Sequence, residues 1–173
     1  MPRAAANGIE IEYETFGSSD ADPLLLIMGL GAQMQFWDDG FCKALADRDH
    51  HVIRFDNRDV GLSTWFDEAG TPDMLQLMVA MRQGQPVSTP YGLDDMADDC
   101  AGLLDALGIE GAHICGASMG GMIAQTLAFN HPKRVRSLTS IMSTSSDPDL
   151  PPPKPHVIAK LLETPPGDRE SSI

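Results

Sequence analysis

Ser118 is the residue whose type and surroundings point most directly to chemistry. It lies in the stretch HICGASMGGMIAQ, residues 113–125, between Gly116 and Gly120 in a Gly-x-Ser-x-Gly pattern. Such a pattern allows a tight strand-to-helix turn that lifts a serine hydroxyl clear of a sheet edge. Glycine and serine are common loop residues, so the pattern is a weak signal unless the neighbouring elements support it.

The composition predicts one globular domain without a nucleic-acid partner. The chain has 173 residues, of which 42% are hydrophobic, and this is enough for a single core. The formal net charge is -13, and no run of lysine or arginine occurs along the chain. Because phosphate binding needs clustered basic residues, we expect no binding of nucleic acid.

The sequence shows neither a membrane span nor a secretion signal. No stretch reaches the roughly 20 apolar residues that cross a bilayer, and the opening MPRAAANG lacks the apolar part of a signal peptide. Cys42, Cys100 and Cys115 are widely spaced and odd in number, which favours buried thiols over disulfides or a metal site. We therefore expect a cytoplasmic protein with no membrane partner.

The chain opens with the pattern of a β-hairpin. Asn7-Gly8 is a strong signal for a tight turn, and residues 9–14 alternate apolar side chains with glutamates. This alternation predicts an antiparallel hairpin with one face open to water.

Apolar runs then alternate with helical patterns through most of the chain. The predicted strands are residues 23–28, residues 51–56, the run that leads into Ser118, and residues 135–143; the predicted helices are residues 36–48, 93–107 and 119–130. This order predicts an α/β fold with a mostly parallel sheet and helices on both faces.

Two regions are less regular. Residues 62–90 carry glycines, prolines and a Met-rich stretch at 74–81, and we interpret them as a loop with one helix over the sheet. From Ser143 onward the chain is rich in Ser, Asp and Pro, and a short helical stretch at 156–162 leads into a polar tail.

Three motifs, in their order along the chain, resemble the N-terminal part of the α/β-hydrolase superfamily from about Ala6 to about Met142. MGLG at 28–31 stands where that family has its oxyanion loop, DNRDVGLS at 56–63 resembles its D-x-R-G-x-G-x-S motif, and GASMGG at 116–121 resembles its nucleophile elbow. Together they are far more specific than any one motif. Within the superfamily, the chain resembles aclacinomycin methylesterase-like and 3-oxoadipate enol-lactonase-like hydrolases.

The resemblance implies that Ser118 is the nucleophile of a hydrolase acting on a small-molecule ester or lactone through an acyl-enzyme. The backbone N–H groups of Leu30 and Met119 would form the oxyanion hole. Met28 departs from the family's usual histidine, but the donor is a main-chain group, so the departure leaves this role open. No cofactor and no metal are implied.

The family also places an acid and then a histidine after the nucleophile. After Ser118 this chain has only His131 and His156. About three helical turns separate His131 from the serine, and His156 lies where the family begins its cap. We therefore expect the chain to end before the last strands and to lack the catalytic histidine. Asp147 stays open as an acid, as in variants that place it one strand earlier.

The resemblance divides the chain into a core, residues 1–143, and the start of a cap with a polar tail, residues 144–173. An edge strand at 135–143 left unpaired would favour homo-oligomers or strand exchange. Asp56 and Arg58 are interpreted as structural groups that bind the loop backbone and each other.

Two functions stay open at this point. The first is a serine hydrolase, impaired in this chain for want of an acid and a base; its site would also suit lactonase or perhydrolase chemistry. The second is an inactive fragment or a non-enzymatic binding module that keeps only the pocket.

Overall fold

Six strands form one mixed sheet in the computed structural model, which describes residues 1–70, 79–80, 83, 85, 88–147, 149–151 and 154–162. The strands are β1 Arg3–Ala6, β2 Ile9–Phe16, β3 Asp22–Ile27, β4 His50–Phe55, β5 Ala112–Ala117 and β6 Val135–Ile141. Their order is β1-β2-β4-β3-β5-β6. β2 runs antiparallel to both its neighbours, and the other pairs are parallel, so the predicted α/β class is confirmed.

The α-helices are α1 Asp39–Ala46, α2 Leu93–Ala106, α3 Met119–Asn130 and α4 Pro155–Leu162, and 3-10 turns occupy Met34–Phe36, Asp67–Ala69 and Pro132–Arg134. α1 is shorter than the predicted helix 36–48. The Asp38 carboxylate caps its start by accepting from the N–H of Gly40 at 2.8 Å. Residues 71–78, where part of the Met-rich stretch falls, and the tail from residue 163 lie outside the described residues.

The central strands β3, β4 and β5 are buried on both faces of the sheet, and their side chains alternate between two apolar layers. One face packs against α2 and α3, and it carries Leu25, Ile27, Ile53, Phe55 and Ile114. The other face packs against Trp37 and Cys42, and it carries Leu24, Leu26, Val52, Cys115 and Ala117. This two-sided burial explains why these strands read as continuous apolar runs.

The predicted hairpin at the start of the chain is confirmed. The face of β2 that was predicted to be open to water is partly buried. Asn7 and Gly8 take the positive φ angles, 48° and 78°, of a tight turn. Glu12 on β2 is only 2% exposed. The segment after β4 covers it, since the Ser63 hydroxyl accepts from the N–H of Glu12 at 3.0 Å.

A buried ion pair joins the loop after β4 to α2. Arg58 donates from Nε and from Nη2 to the two carboxylate oxygens of Asp99, each at 2.7 Å. Asp99 also accepts from Asn7 Nδ2 at 2.9 Å, so one carboxylate ties hairpin, loop and helix together. The prediction that Arg58 pairs with Asp56 was wrong. The Asp56 carboxylate instead accepts from the backbone N–H groups of Met34 and Leu62.

Backbone segments approach each other closely at the turn between β5 and α3. A Cβ atom on Gly116 would lie 2.1 Å from the carbonyl oxygen of Gly120, and one on Gly120 would lie 2.2 Å from that of Ile27. These separations leave no space for a side chain. The turn at the end of β5 therefore requires glycine at both positions.

The three cysteines are buried and free. Burial raises the pKa of the Cys42, Cys100 and Cys115 thiols, which therefore stay protonated. None of the helices among the described residues is long and apolar enough to span a membrane.

Arg58→Met should destabilise the fold by about 3–5 kcal/mol, because it leaves Asp99 buried without its cation. The matched control is Arg136→Met at the exposed Arg136–Asp22 pair, where the loss should stay below about 1 kcal/mol. Urea denaturation measures both. Equal losses in the two variants would contradict a special role for the buried pair.

Gly116→Ala should cost about 3 kcal/mol or more, or prevent folding, because the new Cβ meets rigid backbone. Gly92→Ala is the control, since a Cβ there meets nothing within 4 Å. That variant should lose about 1 kcal/mol or less, the cost of a weaker helix cap. Thermal melts of the two variants make the comparison, and a Gly116→Ala protein that melts like wild type would rule out the close approach.

Candidate active site

Ser118 occupies the turn between β5 and α3 in a conformation that serine rarely adopts. Its φ is 56° and its ψ is -122°, in the region of positive φ that favours glycine. The N–H of Ser118 donates to the carbonyl of Ile141 at 2.9 Å, and its own carbonyl accepts from Gly121 at 2.9 Å. These bonds hold the strained residue in place and leave it exposed at the carboxyl end of the parallel strands.

The loop that follows β3 lies directly against this serine. We call residues 28–34 the β3 loop. A Cβ built on Gly29 would lie 3.0 Å from Ser118 Cβ and 3.4 Å from Ser118 Oγ. The loop turns at once, because the N–H of Ala32 donates to the carbonyl of Gly29 at 3.3 Å and Gly31 takes a φ of 66°.

The residue after the serine and the residue after Gly29 each carry a backbone N–H group. Met119 is the first residue of α3, so its N–H has no acceptor within the helix. Leu30 follows Gly29 at the second position of the β3-loop turn, whose hydrogen bond uses the N–H of Ala32 instead. The structure thus gathers the predicted residues Leu30, Ser118 and Met119 at one end of the sheet. Backbone N–H groups are donors of the kind that can hold a tetrahedral oxyanion.

Two of the histidines have partners away from Ser118. His131 Nε2 lies 2.6 Å from Asp98 Oδ1 beyond the far end of α3, and His113 Nδ1 lies 2.7 Å from Ser137 Oγ near the start of β5. His156 is exposed on α4. Within the described ranges, no histidine ring or carboxylate forms a hydrogen bond with Ser118 Oγ.

Asp147, the other acid that the sequence left open, stabilises a local turn. Its Oδ1 accepts from the N–H of Asp149 at 2.9 Å, and its carbonyl accepts from Leu150 at 3.0 Å. The carboxylate is therefore occupied by its own loop and makes no contact with a histidine in the described part of the chain.

Asp56 and Asn57 bind the two ends of the β3 loop. Asp56 Oδ1 accepts from the N–H of Met34 at 2.7 Å, and Asn57 Nδ2 donates to the carbonyl of Met28 at 2.9 Å. Burial raises the pKa of Asp56, while the N–H groups of Met34 and Leu62 oppose that rise. The backbone contact of Asp56 was predicted.

The sequence analysis did not single out Asn57. A signal for it exists: it is polar, it directly follows a buried parallel strand, and that strand lies beside β3 in the sheet. Residues at the carboxyl ends of neighbouring parallel strands meet at the same edge. A polar side chain at that point of β4 can therefore reach the loop after β3.

A metal site is not evident in the described ranges, which contain no group of three or more His, Cys, Asp or Glu residues able to hold an ion. The polar groups around Ser118 are a hydroxyl and backbone amides, which are suited to acyl chemistry rather than to coordination.

Among known proteins, this chain is similar to proteins named as hydrolases. The chain is 35% identical over 152 residues to rhodomycin D methylesterase DauP of Streptomyces sp. (strain C5), covering 87% of this chain and 45% of that protein. It is 31% identical to 3-oxoadipate enol-lactonase 2 of Acinetobacter baylyi, covering 75% of this chain and 40% of that protein. The chain thus spans less than half the length of either relative.

A solved structure shares the architecture. The enol-lactonase from Burkholderia xenovorans LB400 matches with a TM-score of 0.59 and 29% identity, over 78% of this chain and 44% of that one. The family model described as the alpha/beta hydrolase fold matches residues 22–172, which include β3, the β3 loop and the Ser118 turn. The chain belongs to the α/β-hydrolase fold family.

Proposed function

We propose that this chain carries the nucleophile and the oxyanion-binding groups of a serine hydrolase that cleaves a carboxylic ester or a lactone. The observation that carries the proposal is the strained, exposed Ser118, which lies close against the β3 loop. A Cβ atom built on Gly29 would lie 3.0 Å from Ser118 Cβ. A conformation that costs about 1–3 kcal/mol persists where the surrounding structure enforces it, and such strain concentrates at functional sites. The names of the methylesterase and enol-lactonase relatives support this substrate class.

In the proposed reaction, Ser118 Oγ attacks the acyl carbon as a base removes its proton. The carbonyl oxygen becomes an anion and accepts from the N–H groups of Met119 and Leu30. Collapse of the tetrahedral intermediate expels the alcohol, and water then hydrolyses the acyl-serine. Each amide donor of this kind is worth about 10²–10³ in kcat, because it is already oriented before charge develops.

No described histidine reaches Ser118, so the proposal assigns the base to none of them. A serine of ordinary acidity gains only what proximity and the two donors provide. The 173 residues alone should therefore turn over esters weakly. The same observation favours the second candidate, a non-enzymatic module that binds an acyl group without cleaving it.

The proposal assigns residues 1–143 to the hydrolase core and residues 144–173 to the beginning of a cap. The helix α4 at Pro155–Leu162 is consistent with this division.

We also propose that β6 pairs with β6 of a second copy. It is the edge of the sheet, its residues 136–141 are all exposed, and Leu138 and Ile141 are 40% and 37% exposed. No charged side chain occurs from Ser137 to Met142 to oppose pairing. Antiparallel pairing about a two-fold axis would use the same strand on both copies, so the apolar side chains of each β6 would contact the other β6.

Ser118→Ala should abolish labelling by a fluorophosphonate probe and the weak hydrolysis of p-nitrophenyl acetate, because both need the hydroxyl at the turn. Ser140→Ala on the exposed strand β6 is the matched control and should label like wild type. Mass spectrometry locates the adduct. Labelling retained in Ser118→Ala would exclude this nucleophile, whereas binding without any labelling in wild type would support the binding module.

Leu138→Lys should weaken self-association at least about tenfold, since it places a charge on each copy of β6 in the apolar contact between the two strands. Leu150→Lys is the control, because Leu150 is 47% exposed and lies outside the sheet. Sedimentation velocity over a range of concentrations measures both. A wild-type chain that stays monomeric throughout would refute pairing through β6.

A further inference from the structure

We infer that Asn57 is a positioning residue that sets the distance between the Leu30 N–H and Ser118 by holding the β3 loop at Met28. This inference rests on the proposed function, in which that N–H binds the oxyanion. The contacts of the Asn57 side chain in this structure carry the inference.

The Asn57 side chain reaches the loop where it leaves the sheet. Its Nδ2 donates to the carbonyl oxygen of Met28 at 2.9 Å, two residues before Leu30. Asn57 is 3% exposed, so its side chain has little access to water. The backbone of Asn57 is itself fixed, because its carbonyl accepts from the N–H of Val60 at 3.1 Å.

The Met28 carbonyl oxygen also lies against the serine turn. A Cβ on Gly120 would lie 2.7 Å from the Met28 carbonyl oxygen, so the first turn of α3 already touches that atom. Gly29, the next residue, is the one that approaches Ser118. The Met28 carbonyl oxygen is therefore approached by both α3 and the Asn57 amide, and a shift of that group carries Gly29 and Leu30 with it.

Asp56 binds the far end of the loop at Met34, but substitution of Asp56 would remove more than one contact. Its Oδ2 also accepts from Leu62 at 3.4 Å, and a Cβ on Gly61 would lie 2.0 Å from that oxygen. Removal of the carboxylate would therefore disturb a second loop. The Asn57 side chain has the Met28 carbonyl as its hydrogen-bond partner among the described residues, so its substitution isolates one contact.

Oxyanion binding is sensitive to such a contact because donors act only within hydrogen-bond distance of the developing charge. A displacement of about 1 Å can cost up to about a hundredfold in rate. Loss of the Asn57 bond removes the side-chain hydrogen bond at the Met28 end of the β3 loop, while the Asp56–Met34 bond at the other end remains. The Leu30 donor should then move away from the site, while the Met119 donor, fixed by α3, stays.

The test uses the ¹⁵N-labelled chain titrated with phenylboronic acid. Its boron accepts a bond from Ser118 Oγ as the hydroxyl proton is released, and the resulting tetrahedral anion mimics the oxyanion. The variants are Asn57→Ala and Asn57→Asp, which both remove the donor. Tyr91→Phe is the matched control, because it removes another half-buried contact, from the Tyr91 hydroxyl to Asp59 at 2.6 Å, away from the β3 loop.

In wild type, the amide resonances of both Leu30 and Met119 should shift on binding. In the Asn57 variants the affinity should fall about tenfold or more, and the Leu30 shift should disappear while the Met119 shift remains. Exchange of the Leu30 and Gly31 amides with solvent deuterium should become faster, with the amides of β5 unchanged. Tyr91→Phe should stay within about twofold of wild type in each measurement.

Two results would overturn the inference: boronate affinity within twofold of wild type in both Asn57 variants, or an unchanged exchange rate at Leu30. Failure of the proposed function has a different signature. If Ser118→Ala binds the boronate as wild type does, Ser118 is not the nucleophile, and the exchange rate at Leu30 still decides whether Asn57 holds the loop.

Discussion

The close approach of three backbone segments around Ser118 is the constraint on which the rest of this structure depends. The β3 loop, the end of β5 and the first turn of α3 meet at separations that exclude a Cβ atom at Gly116 and Gly120 and leave Gly29 little room for one. This contact holds Ser118 at a φ of 56° and leaves it exposed beside the β3 loop. In the proposed function, catalysis would depend on backbone packing more than on side-chain acidity.

Buried polar residues keep that packing in register from outside the site. Asp56, Asn57 and Arg58 follow one another after β4 and bind Met34, Met28 and Asp99 respectively. All three are nearly inaccessible to water, where hydrogen bonds are stronger and their loss more costly. One short segment thus fixes both ends of the β3 loop and the helix α2 that covers the neighbouring face.

Local patterns in the sequence predicted the parts of the fold that local physics determines. The Asn7-Gly8 hairpin, the helix from Met119 to Asn130 and the serine turn follow from turn chemistry and periodicity, and the structure confirms these elements. Partners distant in the chain could not be predicted. Arg58 meets Asp99 across 41 positions, and a single sequence reveals the type of each residue but not which residue it faces. The prediction that Glu12 faces water was wrong for the same reason, because the distant segment at Ser63 covers it.

The most direct test of the account is a crystal structure of the chain after reaction with a small phosphonate ester. The account predicts phosphorus bonded to Ser118 Oγ, with the phosphoryl oxygen about 2.7–3.1 Å from the backbone nitrogens of both Leu30 and Met119. A phosphonate attached to another residue would contradict it, and so would a phosphoryl oxygen beyond about 3.5 Å from the Leu30 nitrogen, where a hydrogen bond no longer forms.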